Sequence, residues 1–339
     1  IIYSEFLIPK YEYVTFQTFF LSFGLEDKMK NILHVILISL FSLTIISCAK
    51  KSDSSSTTTS SVSFVAVGTS GTILTSPDGT TWTAQTSGTS NNISGVTYGN
   101  GTFMIVGDSG TILTSSDGTT WTSRTSGTSE DFNRVTYANS TFVAVGYNGT
   151  ILTSSDGITW TSRTSGTTSN WIAGVTYANS IFVIVGENGT ILTSSDGTSW
   201  DNKTSGTMSD LSGLTYGNST FMAVGGDGYD NGTILTSSDG TTWTTKTSGA
   251  TYANWGITYG NSTFVTVGPS GSIFTSSDGT TWTSRTSGIT NHMWGVTYGN
   301  NTFVTVSYGG DILTSSDGIS WTSRTSGTTN ALKDVTYKE

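Results

Sequence analysis

One eleven-residue phrase recurs seven times in this chain of 339 residues, and it limits the fold more than any other feature. It reads Thr111-Ile112-Leu113-Thr114-Ser115-Ser116-Asp117-Gly118-Thr119-Thr120-Trp121, and near copies surround Asp78, Asp156, Asp196, Asp239, Asp278 and Asp317. The aspartates are spaced 39, 39, 40, 43, 39 and 39 residues apart. A fixed period of that length marks an array of one supersecondary unit that cannot bury its apolar surface alone.

A single unit reads as four short strands. Val96-Thr97-Tyr98 alternates and is followed by the turn signal Gly99-Asn100-Gly101. Phe103 to Val106 is apolar at successive positions, as expected of a strand covered on both faces. Gly107 to Gly110 is a second turn, and Thr111 to Ser115 a third strand. Ser116 to Thr119 reads as a tight hairpin in which Gly118 supplies a positive φ, leading to a fourth strand over Thr120 to Thr125. Four antiparallel strands per repeat make a propeller blade. The expected fold is therefore all-β: a seven-bladed β-propeller over residues 62–339. The first repeat starts at Val62-Ser63-Phe64-Val65 without its Val-Thr-Tyr strand, and the chain ends on Val335-Thr336-Tyr337. The C-terminal strand is expected to join the N-terminal blade and close the ring.

The N-terminal part has no repeat. Residues 1–28 read as an over-extended start outside the fold. Residues 29–47, with Lys30 and an apolar run from Ile32 to Ile46, read as a secretory signal. That run is short for a membrane span. Cys48 is the single cysteine, so no disulfide can form within one chain. Residues 48–61 are a polar Ser/Thr-rich tether. Ile45-Ile46-Ser47-Cys48 resembles the lipobox of bacterial lipoproteins. That resemblance implies cleavage before Cys48, acylation of its sulfur and a membrane partner. The implied address is a bacterial cell envelope, at the outer membrane or cell surface. A plain signal peptide is the competing reading.

From Cys48 onward the chain carries 11 basic and 19 acidic residues, a net charge of −8. No basic stripe exists, which argues against nucleic acid held through phosphates. A monomer without cofactor is expected.

The Ser-Ser-Asp-Gly-Thr-Thr-Trp run resembles the Asp-box, or bacterial neuraminidase repeat. The surrounding Gly-Thr-Ile-Leu-Thr-Ser-Ser-Asp-Gly is similar to propellers related to photosystem II assembly factors. The residues themselves suggest a structural task. The seven aspartates are placed to accept backbone N–H groups in their turns. Trp82, Trp121, Trp160, Trp200, Trp243, Trp282 and Trp321 are placed to cover the neighbouring sheet. The resemblance to sialidases would imply an arginine triad and a glycoside hydrolase. Yet Arg124, Arg163, Arg285 and Arg324 share one repeated position on the fourth strand, with Lys203, Lys246 and Gln85 as their counterparts. Cations there read as protection of an outer edge, and Arg134 is the only arginine off that register. His292 is the one histidine of the repeats, and no nucleophile elbow accompanies it. No catalytic residues are assigned. The run from Gly226 to Gly232 lacks the EF-hand pattern, and no metal site is assigned.

The repeats differ mainly at two places: the loop between second and third strands, and the approach to the first strand. Both connections emerge on one face. Tyr147, Trp171, Tyr229, Trp255, Trp294 and Tyr308 fall there and form the candidate ligand face, while the tryptophans also suit gap-filling between blades. The expected function is non-catalytic: a lipid-anchored scaffold for a protein or carbohydrate. The alternatives are an assembly factor for a membrane complex and a divergent glycoside hydrolase of sialidase type.

Overall fold

A computed structural model describes residues 61–338 apart from 168, 228–231 and 248–252. Cys48, the signal and the tether lie outside the described residues, as does Tyr229. The described chain forms seven four-stranded antiparallel sheets. In the second blade the strands run Ile93–Gly99, Thr102–Gly107, Ile112–Ser115 and Thr122–Arg124, in that spatial order. The first strands of neighbouring blades pack on one another all the way round, so they line the axis and the fourth strands lie outermost. This is the expected all-β seven-bladed propeller.

Closure follows the expected route. The last strand, Leu332–Tyr337, pairs with Phe64–Gly68, with Phe64 opposite Tyr337 and Ala66 opposite Val335. The Phe64 and Tyr337 rings are 5.0 Å apart and tilted. Tyr98 and Phe103 stand 4.7 Å apart in the same relation within one uninterrupted blade. The closing strand thus reproduces a normal blade contact between the two ends of the chain.

The core is a circle of seven apolar clusters, each shared by two neighbouring blades. One joins Val65, Val67 and Ile73 of the first blade to Phe103, Ile105 and Leu113 of the second. Another joins Val304, Val306 and Ile312 of the seventh blade to Phe64, Ala66 and Leu74 of the first. Phe103 to Val106 are all fully buried because alternate side chains enter the two flanking interfaces. A lone blade would leave one such layer wet on each side, so stability resides in the stack.

Two expectations about element length need correction. The Asp-containing connection is no tight hairpin: it spans residues 116–121, and the outer strand is only Thr122–Arg124. The first strand is longer than Val-Thr-Tyr, beginning at Ile93 in the second blade. Most of the supposed approach residues are therefore strand residues. Ile93, Phe132, Leu211, Met293 and Leu332 are all fully buried core, not surface.

Candidate binding face

The hairpin end of each blade is chemically self-contained. Asp117 Oδ1 accepts the backbone N–H groups of Thr119 and Thr120, both at 2.8 Å. The Ser115 hydroxyl donates to the same oxygen at 2.9 Å and accepts the Gly118 N–H at 2.8 Å. Trp121 Nε1 donates to the Gly118 carbonyl at 3.1 Å. Gly118 needs its positive φ of 79°, and a Cβ there would stand 2.8 Å from Val62. Asp78, Asp156, Asp196, Asp239, Asp278 and Asp317 accept the same pair of backbone donors in their own turns. These bonds hold every one of the seven carboxyls below the ordinary aspartate range. Trp82, Trp200, Trp243 and Trp321 repeat the indole bond to glycine, whereas the buried Nε1 atoms of Trp160 and Trp282 lack a partner. Each ring seals an interface between blades, as Trp121 does against the cluster of Val65 and Phe103.

The cations of the outer strands are tied down as well. Arg124, Arg163, Arg285 and Arg324 each donate Nε to a threonine hydroxyl of the third strand, at 2.8–2.9 Å. Gln85 does the same through Nε2 at 2.8 Å. They stay far from the axis and assemble no triad.

The loop end is built differently, because several of its polar contacts run between blades. In four of the described turns after a second strand one residue sits in the left-handed region with its N–H directed at a side chain: Ser70, Ser109, Asn188 and Ser270 have φ of 52–55°. The N–H of that residue is accepted by a side chain leading into the next blade. The pairs are Ser70 with Asn92 at 3.1 Å, Ser109 with Asp131 at 2.7 Å, and Asn188 with Asp210 at 2.9 Å. His292 Nδ1 fills this same role for Ser270 at 3.0 Å, so the one histidine of the repeats has a structural partner.

The five described aromatic candidates do not form one cluster. Tyr147 and Trp171 meet through a β-bridge, with Tyr147 44% exposed. Trp255 and Trp294 stack on each other at 4.7 Å, and His292 lies edge-on to Trp255 at 5.4 Å. The Tyr308 N–H donates to the His292 carbonyl at 2.8 Å, and Tyr308 is 60% exposed. Tyr229 lies outside the described residues. Both exposed tyrosines occupy the first position of a turn after a second strand, on the diversified face.

Sequence reasoning missed the inner ring. In five of the second- to seventh-blade strands pairing is interrupted by a bulge, as between Ile93 and Gly95, and the closing strand carries one opposite Val67 and Gly68. Bulges turn a side chain out of the sheet's alternation. The position that follows the bulge is Gly95, Gly174, Gly213 or Gly295 in four blades, Arg134 in the third and Asp334 in the first, and Gly256 holds the same repeat position in the sixth blade. A Cβ on Gly95 would lie 2.9 Å from the Arg134 Cα. Arg134 Nη1 donates to the Ser94 carbonyl at 2.7 Å and lies 3.7 Å from Asp334 Oδ2. That carboxylate oxygen also accepts the Val96 N–H at 2.9 Å. Burial raises the Asp334 pKa, while Arg134 and the Val96 N–H oppose the rise. The pair spans blades one and three across the bare backbone of Gly95. Two charges replacing glycine at one repeat position were the available signal.

No protein-family model matches the chain, and no curated protein matches it. Solved structures do. YCF48 from Cyanidioschyzon merolae is 15% identical, with a TM-score of 0.56, covering 70% of this chain and 86% of its own. A structure of YCF48 bound to D1 peptide is 18% identical with a TM-score of 0.54, covering 69% of this chain and 81% of that one. The WD40 β-propeller domain of Doa1 is 13% identical with a TM-score of 0.54, covering 76% and 86%. At these identities the likeness establishes the propeller fold.

Proposed function

We propose that this chain is a non-catalytic adaptor whose loop face holds a segment of a partner protein, carried at a bacterial envelope by lipid on Cys48. One observation carries the reading. The hairpin end spends its seven carboxylates and five of its seven indoles on its own turns and, of the described large apolar side chains, exposes only the aliphatic Ile158 and Ile319 there, whereas the loop end leaves Tyr147 and Tyr308 exposed at equivalent positions. Tyrosine combines a large apolar area with a polar tip, and it is enriched where proteins recognise one another. The solved relative with a bound peptide supports a protein segment as the ligand class. Its likeness also favours one narrower reading: assistance in assembling a membrane complex, in which the partner binds before its complex is finished.

The test is capture from a crosslinked envelope extract. The wild-type chain is compared with the double variant Tyr147→Ala/Tyr308→Ala and with Arg124→Ala on the outer rim. Capture lost only in the tyrosine variant is the expected outcome. Equal loss in the outer-rim variant, or capture that survives protease treatment of the extract, sinks the reading, the latter in favour of a glycan. Mass spectrometry of the purified N-terminus checks that Cys48 comes first and is acylated.

A further inference from the structure

The two ends of the propeller also differ in charge. Asp108, Glu130, Asp131, Glu187, Asp210 and Asp227 fall in turns and connections of the loop end, around blades two to five. Among the described residues no lysine or arginine occurs in a turn or connection of that end. The basic residues of the repeats sit on the outer strands, in the inner ring as Arg134 and Lys333, or past the closing strand as Lys338, whose Nζ lies 5.2 Å from the Tyr98 ring centre. The loop end is thus acidic, and its acidity is one-sided.

Tyr147 stands inside this region with its ring partly open to solvent and its backbone bridged to Trp171. The Tyr147 N–H donates to the Asp131 carbonyl at 2.9 Å, and the Glu187 N–H donates to the Trp171 carbonyl at 2.9 Å. The Asp131 carboxylate accepts the N–H of Ser109, next to Asp108, at 2.7 Å. Burial and then these acids raise the Tyr147 pKa. Asparagine side chains orient the neighbouring carboxylates: Asn92 Nδ2 donates to Asp108 Oδ2 at 2.8 Å, and Asn148 Nδ2 to Glu130 Oε2 at 2.7 Å. The acids are nevertheless spread out. Among the described residues no three acidic, histidine or cysteine side chains converge so as to hold a metal ion. Separated carboxylates around an open aromatic face match a chain of separated positive charges, not a single cation.

Resting on the adaptor reading, we infer that the partner segment is basic: one lysine or arginine side chain lies over the Tyr147 ring, and its neighbours reach Asp108, Asp131 and Glu187. The ring quadrupole attracts a cation placed over its face. The surrounding carboxylates steer the approach and select against acidic competitors. Trp171 supports the Tyr147 backbone from the next blade, which fixes the aromatic platform relative to the acids.

The experiment uses the full chain and two labelled peptides of about twelve residues, matched in Gly and Ser content. One carries Lys and Arg, the other Glu at the same positions. Anisotropy is recorded at about 50 mM and about 200 mM salt, where screening differs strongly. The basic probe is expected to bind, weakening several-fold at the higher salt, while the acidic probe stays free. Glu130→Lys/Glu187→Lys is expected to weaken the basic probe about tenfold or more, and Tyr147→Ala several-fold, with unchanged circular dichroism. Arg124→Ala, on the outer rim, leaves binding as it was. Equal binding of both probes, or binding indifferent to the charge reversal, overturns the inference. Envelope capture separates the two claims: a partner still captured by the charge-reversed variant leaves the adaptor reading standing and removes the basic segment.

Discussion

Asp117 and Asp131 belong to adjacent blades and both accept backbone N–H groups, but they do so on different scales. Asp117, at the hairpin end, accepts from Thr119 and Thr120, two and three residues along its own turn. Asp131, at the loop end, accepts from Ser109, 22 residues earlier and in the preceding blade. A local bond can be copied without regard to neighbours, so the hairpin end can stay uniform in all seven repeats. A bond between blades ties each residue to a particular partner, so Asn92, Asp131, Asp210 and His292 answer to the turn before them. The loop end therefore has both the constraint and the freedom to become individual.

The largest expected break in this comparison lies in the inner ring, where the contact between blades is an ion pair. Arg134→Ala leaves Asp334 desolvated without its counter-charge, and removing one partner of a buried pair costs about 3–5 kcal/mol. The side chain of Asp334 is only 14% exposed, so little water is at hand to replace the guanidinium. Adding Asp334→Asn to Arg134→Ala should return much of the loss, since the amide carries no charge. Denaturant melts of the two variants beside wild type check this. A loss no larger than that of an exposed hairpin substitution would show that the pair does not brace the ring.

The contrast between local and shared contacts also explains what was legible in the sequence. The blade count, the strand order and the closure were readable because they depend on a pattern repeated seven times, and Phe64 pairs with Tyr337 as the incomplete first repeat implied. The role of Asp117 was readable for the same reason: its donors lie within three residues. The inner strand was read too short, because Ile93, Phe132 and Leu332 differ in type and only their shared burial shows them to be one position. Trp171 lies four residues before Val175 and Trp255 two before Ile257, so the two were not at one repeat position. In the fold Trp171 bridges to a turn residue while Trp255 stacks at the inner ring. A small difference in offset from the strand changes which neighbour a side chain meets, and spacing alone does not show where a bulge falls.

A second, intermediate effect tests the core position beside that bulge. Ile93, Phe132, Ile172, Leu211, Met293 and Leu332 fill it at 0% exposure. The sixth blade has Asn254 there, 1% exposed, and neither its Oδ1 nor its Nδ2 has a hydrogen-bond partner. A buried polar group without a partner costs about 1–3 kcal/mol. Leucine has nearly the same shape, so Asn254→Leu should raise stability by about that amount. A fall in the denaturation midpoint instead would mean that the carboxamide serves the fold at this site.

The smallest effect is a dependence on pH, and it has opposite signs in the two regions. The N–H groups of Thr159 and Ile158, with the Ser154 hydroxyl, lower the Asp156 pKa to about 2. An unfolded aspartate titrates near 3.9. The folded state therefore binds the proton less readily than the unfolded one. The stabilisation is complete above about pH 4 and is lost as pH falls toward 2. Asp334 behaves in the other sense: burial raises its folded pKa, so acidification through its range relieves a cost. Each hairpin carboxylate is open to solvent, so its individual contribution is small, but seven of them share one sign. Denaturant melts at pH 7, 4 and 2.5 should show stability falling mainly below pH 4. Asp156→Asn keeps an oxygen to accept the two N–H groups but cannot titrate there. Its stability should fall less steeply than that of wild type over the same interval, while Asp334→Asn should make the decline steeper. Identical slopes in all three proteins would place the acid sensitivity elsewhere than in these carboxylates.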